Sequence, residues 1–123
     1  ITAIGKVRRA FDVTTAGQEA ALASIGNKSE IERRRSLNRE AMTLLVDALR
    51  RAGFRPVEPA VANFVFVEVD DAAALNDALL RRGVIVRPMG SFGAPNALRI
   101  SAGTPDEISY LSETLDTVLS ALR

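Results

Sequence analysis

Apolar residues recur along this chain with two different periods, separated by polar punctuation. Thr15-Ala16-Gly17-Gln18 has capping-box spacing, with Thr15 as N-cap and Gln18 at the third helical position. It predicts an alanine-rich helix to about Ile25, closed by Gly26-Asn27. Ser29-Glu30-Ile31-Glu32 repeats the box. The helix it opens carries Leu37, Ala41, Leu44, Leu45, Ala48, Leu49 and Ala52 at offsets that follow a 3.6-residue period, and Gly53 is its natural stop.

The period then changes. Phe54 to Val57 reads as a short strand ended by Pro56 and Pro59. Asn63 to Val69 is β-branched and aromatic on both faces, the pattern of a central strand. Asp70-Asp71 caps a helix to Arg82 with Leu75, Ala78 and Leu79 inward, ended by Gly83. Val84 to Arg87 is a strand stopped by Pro88, Gly90 to Asn96 is a loop, and Ala97 to Ala102 is a strand again. Thr104-Pro105-Asp106-Glu107 combines an N-cap threonine, proline at the first helical position and glutamate at the third. It opens a last helix with Ile108, Leu111, Leu115, Val118, Leu119 and Leu122 inward.

The order is α-α-β-β-α-β-β-α. Strands 84–87 and 97–101, joined by a loop, predict an antiparallel hairpin. The fold class is α+β, a small, mainly antiparallel sheet covered by helices. Residues 29–123 form this domain, beginning with its long helix; residues 1–28 fit it less well and read as a segment from a neighbouring domain.

Composition narrows the chemistry. The 123 residues hold 16 basic and 15 acidic groups, a net charge of +1, so charge gives no case for nucleic acid or a membrane surface as partner. There is no cysteine and no histidine. Disulfides, thiolate nucleophiles, histidine bases and histidine metal sites are therefore excluded within this chain. The lack of cysteine fits a cytoplasmic protein. No apolar run approaches the ~20 residues of a membrane span. Ile1 in place of methionine reads as a start inside a longer chain.

Arg99, between Leu98 and Ile100, is the first candidate. Its neighbours belong to the core, so it faces the other side of the sheet. There it offers a fixed charged fork for a carboxylate or phosphate, or else lies on a solvated face. Arg87 ends the preceding strand, twelve residues earlier (99 − 87). Both guanidinium groups grip one dianion if they share a face; the register decides. The Gly90–Gly93 loop lacks P-loop spacing and reads as a hairpin loop. Lys6 and Lys28, the only lysines, read as surface residues. Arg33, Arg34, Arg35 and Arg39 follow Glu30 and Glu32, the order of helical ion pairs rather than of a nucleic-acid surface. Asn63, leading into its strand, either satisfies local backbone or lines a site.

Three segments in this order resemble the C-terminal part of fold-type I pyridoxal-phosphate aminotransferases. They are Lys6-Val7-Arg8-Arg9-Ala10-Phe11-Asp12-Val13-Thr14-Thr15 with Gln18, then Ala62-Asn63-Phe64-Val65-Phe66-Val67, then Gly83 to Pro88 with Leu98 to Glu107. The family often has proline at Ala10 and asparagine at Asp12. The resemblance implies that residues 1–28 leave the family's large domain and 29–123 form its small domain. It implies that Arg99 binds the substrate's acidic group and that, in the histidinol-phosphate branch, Arg87 joins it on the phosphate. The implied reaction transfers an amino group between histidinol phosphate or imidazole-acetol phosphate and glutamate or 2-oxoglutarate, in histidine biosynthesis. The implied cofactor is pyridoxal 5′-phosphate, with its Schiff-base lysine outside this chain, so that the chain alone is inactive. A cytoplasmic homodimer acting on a small molecule is implied as well. An aromatic or other amino-acid aminotransferase of the same fold type, or a non-enzymatic anion-binding module, are the alternatives.

Overall fold

The computed structural model describes Ala3, Lys6 and residues 13–122. The chain divides into two compact units, Ile1–Arg34 and Arg35–Arg123. The segment Val7 to Asp12, with Ala10 and Asp12, lies outside the described residues.

In the first unit, helix α1 spans Thr15–Ile25. Its cap is Thr14, one residue before the expected Thr15. Thr14 is extended (φ −70°, ψ 157°), and its Oγ1 accepts from the Gly17 N–H at 3.1 Å. Helix α2, Lys28–Arg51, likewise starts early. The expected Ser29 box is replaced by Asn27, whose Oδ1 accepts from the Glu30 N–H at 3.2 Å and from the Ser29 hydroxyl at 3.1 Å.

The second unit holds the core. Met42, Leu45, Ala48 and Leu49 are the buried residues of α2. Leu37 and Leu44, expected inward, are 49% and 42% exposed. The buried stripe runs through Met42 instead, three residues before Leu45, and Leu44 falls on the flank of that face.

Strand β1 is Phe64–Glu68, helix α3 is Ala72–Leu80, strand β2 is Arg87–Pro88, strand β3 is Ala97–Ser101 and helix α4 is Pro105–Leu122. The sheet order is β1-β3-β2, all neighbours antiparallel. The expected hairpin is present. The expected central strand is not β1 but β3. Beyond β1 lies only a bridge from Pro56 to Val67, with the Val57 N–H donating to the Phe66 carbonyl at 2.9 Å. The strand expected at Phe54–Val57 shrinks to this bridge, a non-hydrogen-bonded pair in which the missing N–H of Pro56 faces away from β1.

Strand β2 also differs from Val84–Arg87: only Arg87 and Pro88 pair with β3. The Met89 N–H donates to the Ala97 carbonyl at 3.0 Å. By the antiparallel alternation, Pro88 opposite Leu98 is then a non-hydrogen-bonded pair, and the missing N–H of Pro88 faces away from β3. A groove of about 540 Å³ opens beside the unpaired Val84–Val86 segment, lined also by Ile100, Ala102 and Tyr110.

Val65, Val67, Leu98 and Ile100 form one face of the sheet and join the core with Leu75, Leu79, Ile108, Leu111, Leu115 and Val118. Leu122, expected inward, is 51% exposed at the end of α4. The two expected glycine stops have positive φ, 90° at Gly53 and 77° at Gly83. Each helix closes there with a six-to-one bond, Phe54 N–H to Leu49 O and Val84 N–H to Leu79 O, both 3.0 Å.

The capping box on α4 is as expected. The Glu107 N–H donates to Thr104 Oγ1 at 3.3 Å, and the Thr104 N–H donates to Glu107 Oε2 at 2.7 Å. The Thr104 backbone bond, then its hydroxyl, lowers the Glu107 carboxyl below its ordinary 4.5. A lowered folded-state value stabilises the fold above the unfolded value, and that contribution disappears as pH falls through the folded value. Glu107→Gln should therefore flatten the loss of stability as pH falls below about 4.5. Urea midpoints across this range check it; identical pH slopes for the two proteins would contradict it.

Candidate substrate-anion site

The register decides the question left open by the arginines. Arg87 and Arg99 are direct partners across β2 and β3, and Phe66 is the partner of Arg99 on β1. Direct partners in an antiparallel pair share a face, so all three side chains belong to the face opposite the core. The alternation makes Arg87 and Arg99 a hydrogen-bonded pair, with Cα atoms about 5.5 Å apart.

Two guanidinium groups carried on one face of a sheet repel when they approach each other, unless something neutralises them. Among the described residues, no acidic side chain ion-pairs with either guanidinium. Glu68, on the same face beyond Phe66, is exposed. Arg99 Nε is buried and has no hydrogen-bond partner among the described residues. An orphaned guanidinium donor is costly, and an anion is the partner that satisfies it.

Aromatic rings stand where acids are absent. The Arg99 guanidinium carbon lies 5.0 Å from the Phe64 ring centroid, and that of Arg87 lies 5.2 Å from Phe92. Sequence reasoning missed both phenylalanines. The signals available were the Phe64/Phe66 alternation, which puts rings on the non-core face, and an aromatic residue bracketed by glycines in the Gly90–Gly93 loop.

The remaining candidates lie elsewhere. Asn63 is exposed at the mouth of β1 and extends the ladder through its carbonyl, which accepts from the Ala102 N–H at 2.9 Å. The ladder alternation assigns its side chain to the face opposite Phe64 and Arg99. Lys6 and Lys28 are both exposed. Glu30 receives Arg33 Nε at 2.7 Å and Arg34 Nε at 2.8 Å. Those hydrogen bonds, Arg33's first, hold its carboxyl down to about 2. These bases serve a helical ion-pair network. The groove beside Val84–Val86 includes Asp106 and Glu107 and is no match for an anion.

A family model described as aminotransferase class I and II matches residues 1–115. The chain belongs to this family. The histidinol-phosphate aminotransferase 1 of Cupriavidus pinatubonensis is 41% identical over 120 residues, covering 94% of this chain and 32% of that protein. The chain thus spans about a third of the length of the curated aminotransferases it matches. The crystal structure of the histidinol-phosphate aminotransferase from Clostridium acetobutylicum superimposes with a TM-score of 0.76, over 95% of this chain and 36% of that one. At 19% identity it shows the shared α+β fold alone. The Thermus thermophilus α-aminoadipate aminotransferase LysN, complexed with N-(5'-phosphopyridoxyl)-L-leucine, superimposes with a TM-score of 0.63 at 26% identity, over 82% of this chain and 30% of that one.

Proposed function

We propose that this aminotransferase chain is the substrate-anion-binding part of a histidinol-phosphate aminotransferase, exchanging an amino group between histidinol phosphate or imidazole-acetol phosphate and glutamate or 2-oxoglutarate. One observation carries the reading: Arg87 and Arg99 are cross-strand partners on one face without acidic partners among the described residues, and Arg99 Nε is buried and unsatisfied. A phosphate ester brings about −1.5 to −2 charges and several acceptor oxygens, enough to engage both forks. A carboxylate brings a single charge, which the Arg99 fork meets alone.

In this reading, residues 1–28 leave the large domain and 29–123 form the small domain of a cytoplasmic homodimer in histidine biosynthesis. Pyridoxal phosphate supplies the electron sink of the reaction when bound. A cofactor lysine needs a desolvated amine, and the exposed Lys6 and Lys28 do not fit. We therefore assign that lysine to another part of the complete enzyme and expect no transamination from this chain alone. The arginines hold the substrate anion, so that the reacting end is oriented by charge placed at the other end.

Arg87→Ala in the complete enzyme should lower kcat/KM for histidinol phosphate about tenfold more than for glutamate, the value of a charge-assisted contact. Steady-state kinetics with both substrates check this. Equal impairment would favour the alternative, an aminotransferase for amino acids without a phosphate.

A further inference from the structure

The two arginines are held by unequal means. Arg99 sits in the central strand, half-buried, against Phe64. Arg87 is exposed, on a strand of two residues, and its side chain has many rotamers to lose when it binds. Its guanidinium lies over the ring of Phe92, five residues on (92 − 87), which is itself 61% exposed.

We propose that Phe92 is a positioning residue that holds the Arg87 guanidinium on the substrate face and thereby tunes the preference for a phosphate over a carboxylate. This rests on the anion-binding reading above and deepens it. The loop is built to return the ring. Gly90–Phe92 forms a 3-10 turn, in which the Phe92 N–H donates to the Met89 carbonyl at 2.9 Å and the Gly93 N–H to Gly90 at 3.1 Å. Gly93 then takes φ +86°, a left-handed conformation that other residues rarely adopt. The Ala94 N–H also bonds to Met89, at 3.2 Å, and the chain re-enters β3 at Ala97. The backbone that carries the ring is thus held next to β2. Loss of the ring frees Arg87 and leaves Arg99 and Phe64 in place. Only a substrate that needs the second cation is then penalised.

The test uses the complete enzyme, with kcat and KM measured for histidinol phosphate and for glutamate. Phe92→Leu should lower the phosphate-to-glutamate ratio of kcat/KM about two- to five-fold, the worth of an exposed cation–π contact, mainly through KM. Phe92→Tyr, which keeps the aromatic face, should restore the ratio. On an Arg87→Ala background, Phe92→Leu should add nothing, because the residue acts through Arg87. An equal effect on both substrates, an undiminished effect on the Arg87→Ala background, or a lowered Tm with an unchanged ratio would overturn the positioning role. If Arg87→Ala and Arg99→Ala themselves spare the phosphate substrate, the anion-binding reading has failed, which separates the two outcomes.

Discussion

Arg99→Ala in the complete enzyme is expected to lower kcat/KM for histidinol phosphate by about a hundredfold or more. A two-pronged guanidinium contact contributes two charge-assisted hydrogen bonds of roughly 1.5–3 kcal/mol each, and about 1.4 kcal/mol is a factor of ten. The proposed contact belongs to a half-buried strand residue whose buried Nε has no other partner among the described residues, so that donor is shielded from solvent. Arg99→Lys should recover part of the loss, since an ammonium supplies the charge without the planar fork. Unlike Arg87→Ala, this change should also impair glutamate, because one fork serves the acidic group of either substrate in the proposed reading. An unchanged kcat/KM for histidinol phosphate would sink the assignment.

The second large effect is on stability. Leu98 is 0% exposed, next to Arg99 on β3 and paired with Val67 in the core. Leu98→Ala should destabilise this unit by about 2–5 kcal/mol, from lost transfer free energy plus the cavity left among well-packed neighbours. Leu98→Met, which conserves volume, should cost under about 1.5 kcal/mol. Hydrogen exchange at the β3 amides in the complete enzyme reads this locally. Protection reduced by less than about tenfold in Leu98→Ala would show that the site collapses around the gap. Because Leu98 and Arg99 are neighbours on one strand, core looseness should also loosen the proposed anion grip.

Features set by neighbours in sequence were legible in it. The Thr104–Glu107 box is a four-residue arrangement, and the structure shows both of its reciprocal bonds. The glycine stops at Gly53 and Gly83 are equally local. Caps slipped where two candidates stood side by side, Thr14 beside Thr15 and Asn27 beside Ser29, because either spacing suits a helix start. What depends on strand pairing was not legible. That Arg87 meets Arg99 is fixed by register, and a slip of one residue would have put them on opposite faces. The place of β1 at the side of the sheet depended on how little of Phe54–Val57 pairs with it. The rings of Phe64 and Phe92 met the guanidinium groups only once the loop and the ladder had their geometry.

The prolines at the margins of the sheet have a consequence for how this unit behaves among other chains. An open strand edge offers unpaired N–H and C=O groups on which a foreign strand can assemble, the first step toward aggregates. Here β2 presents Pro88 on its outer side, with no donor there, and the outer side of β1 meets Pro56. Each margin of a three-stranded sheet therefore carries a residue that interrupts recruitment of a further strand. The interruptions cost the ladder little, since the absent donor of Pro88 faces away from β3 and Pro56 forms only a bridge. A sheet this small, with its arginine face on the side opposite the core, thereby has both margins guarded against strand-to-strand association.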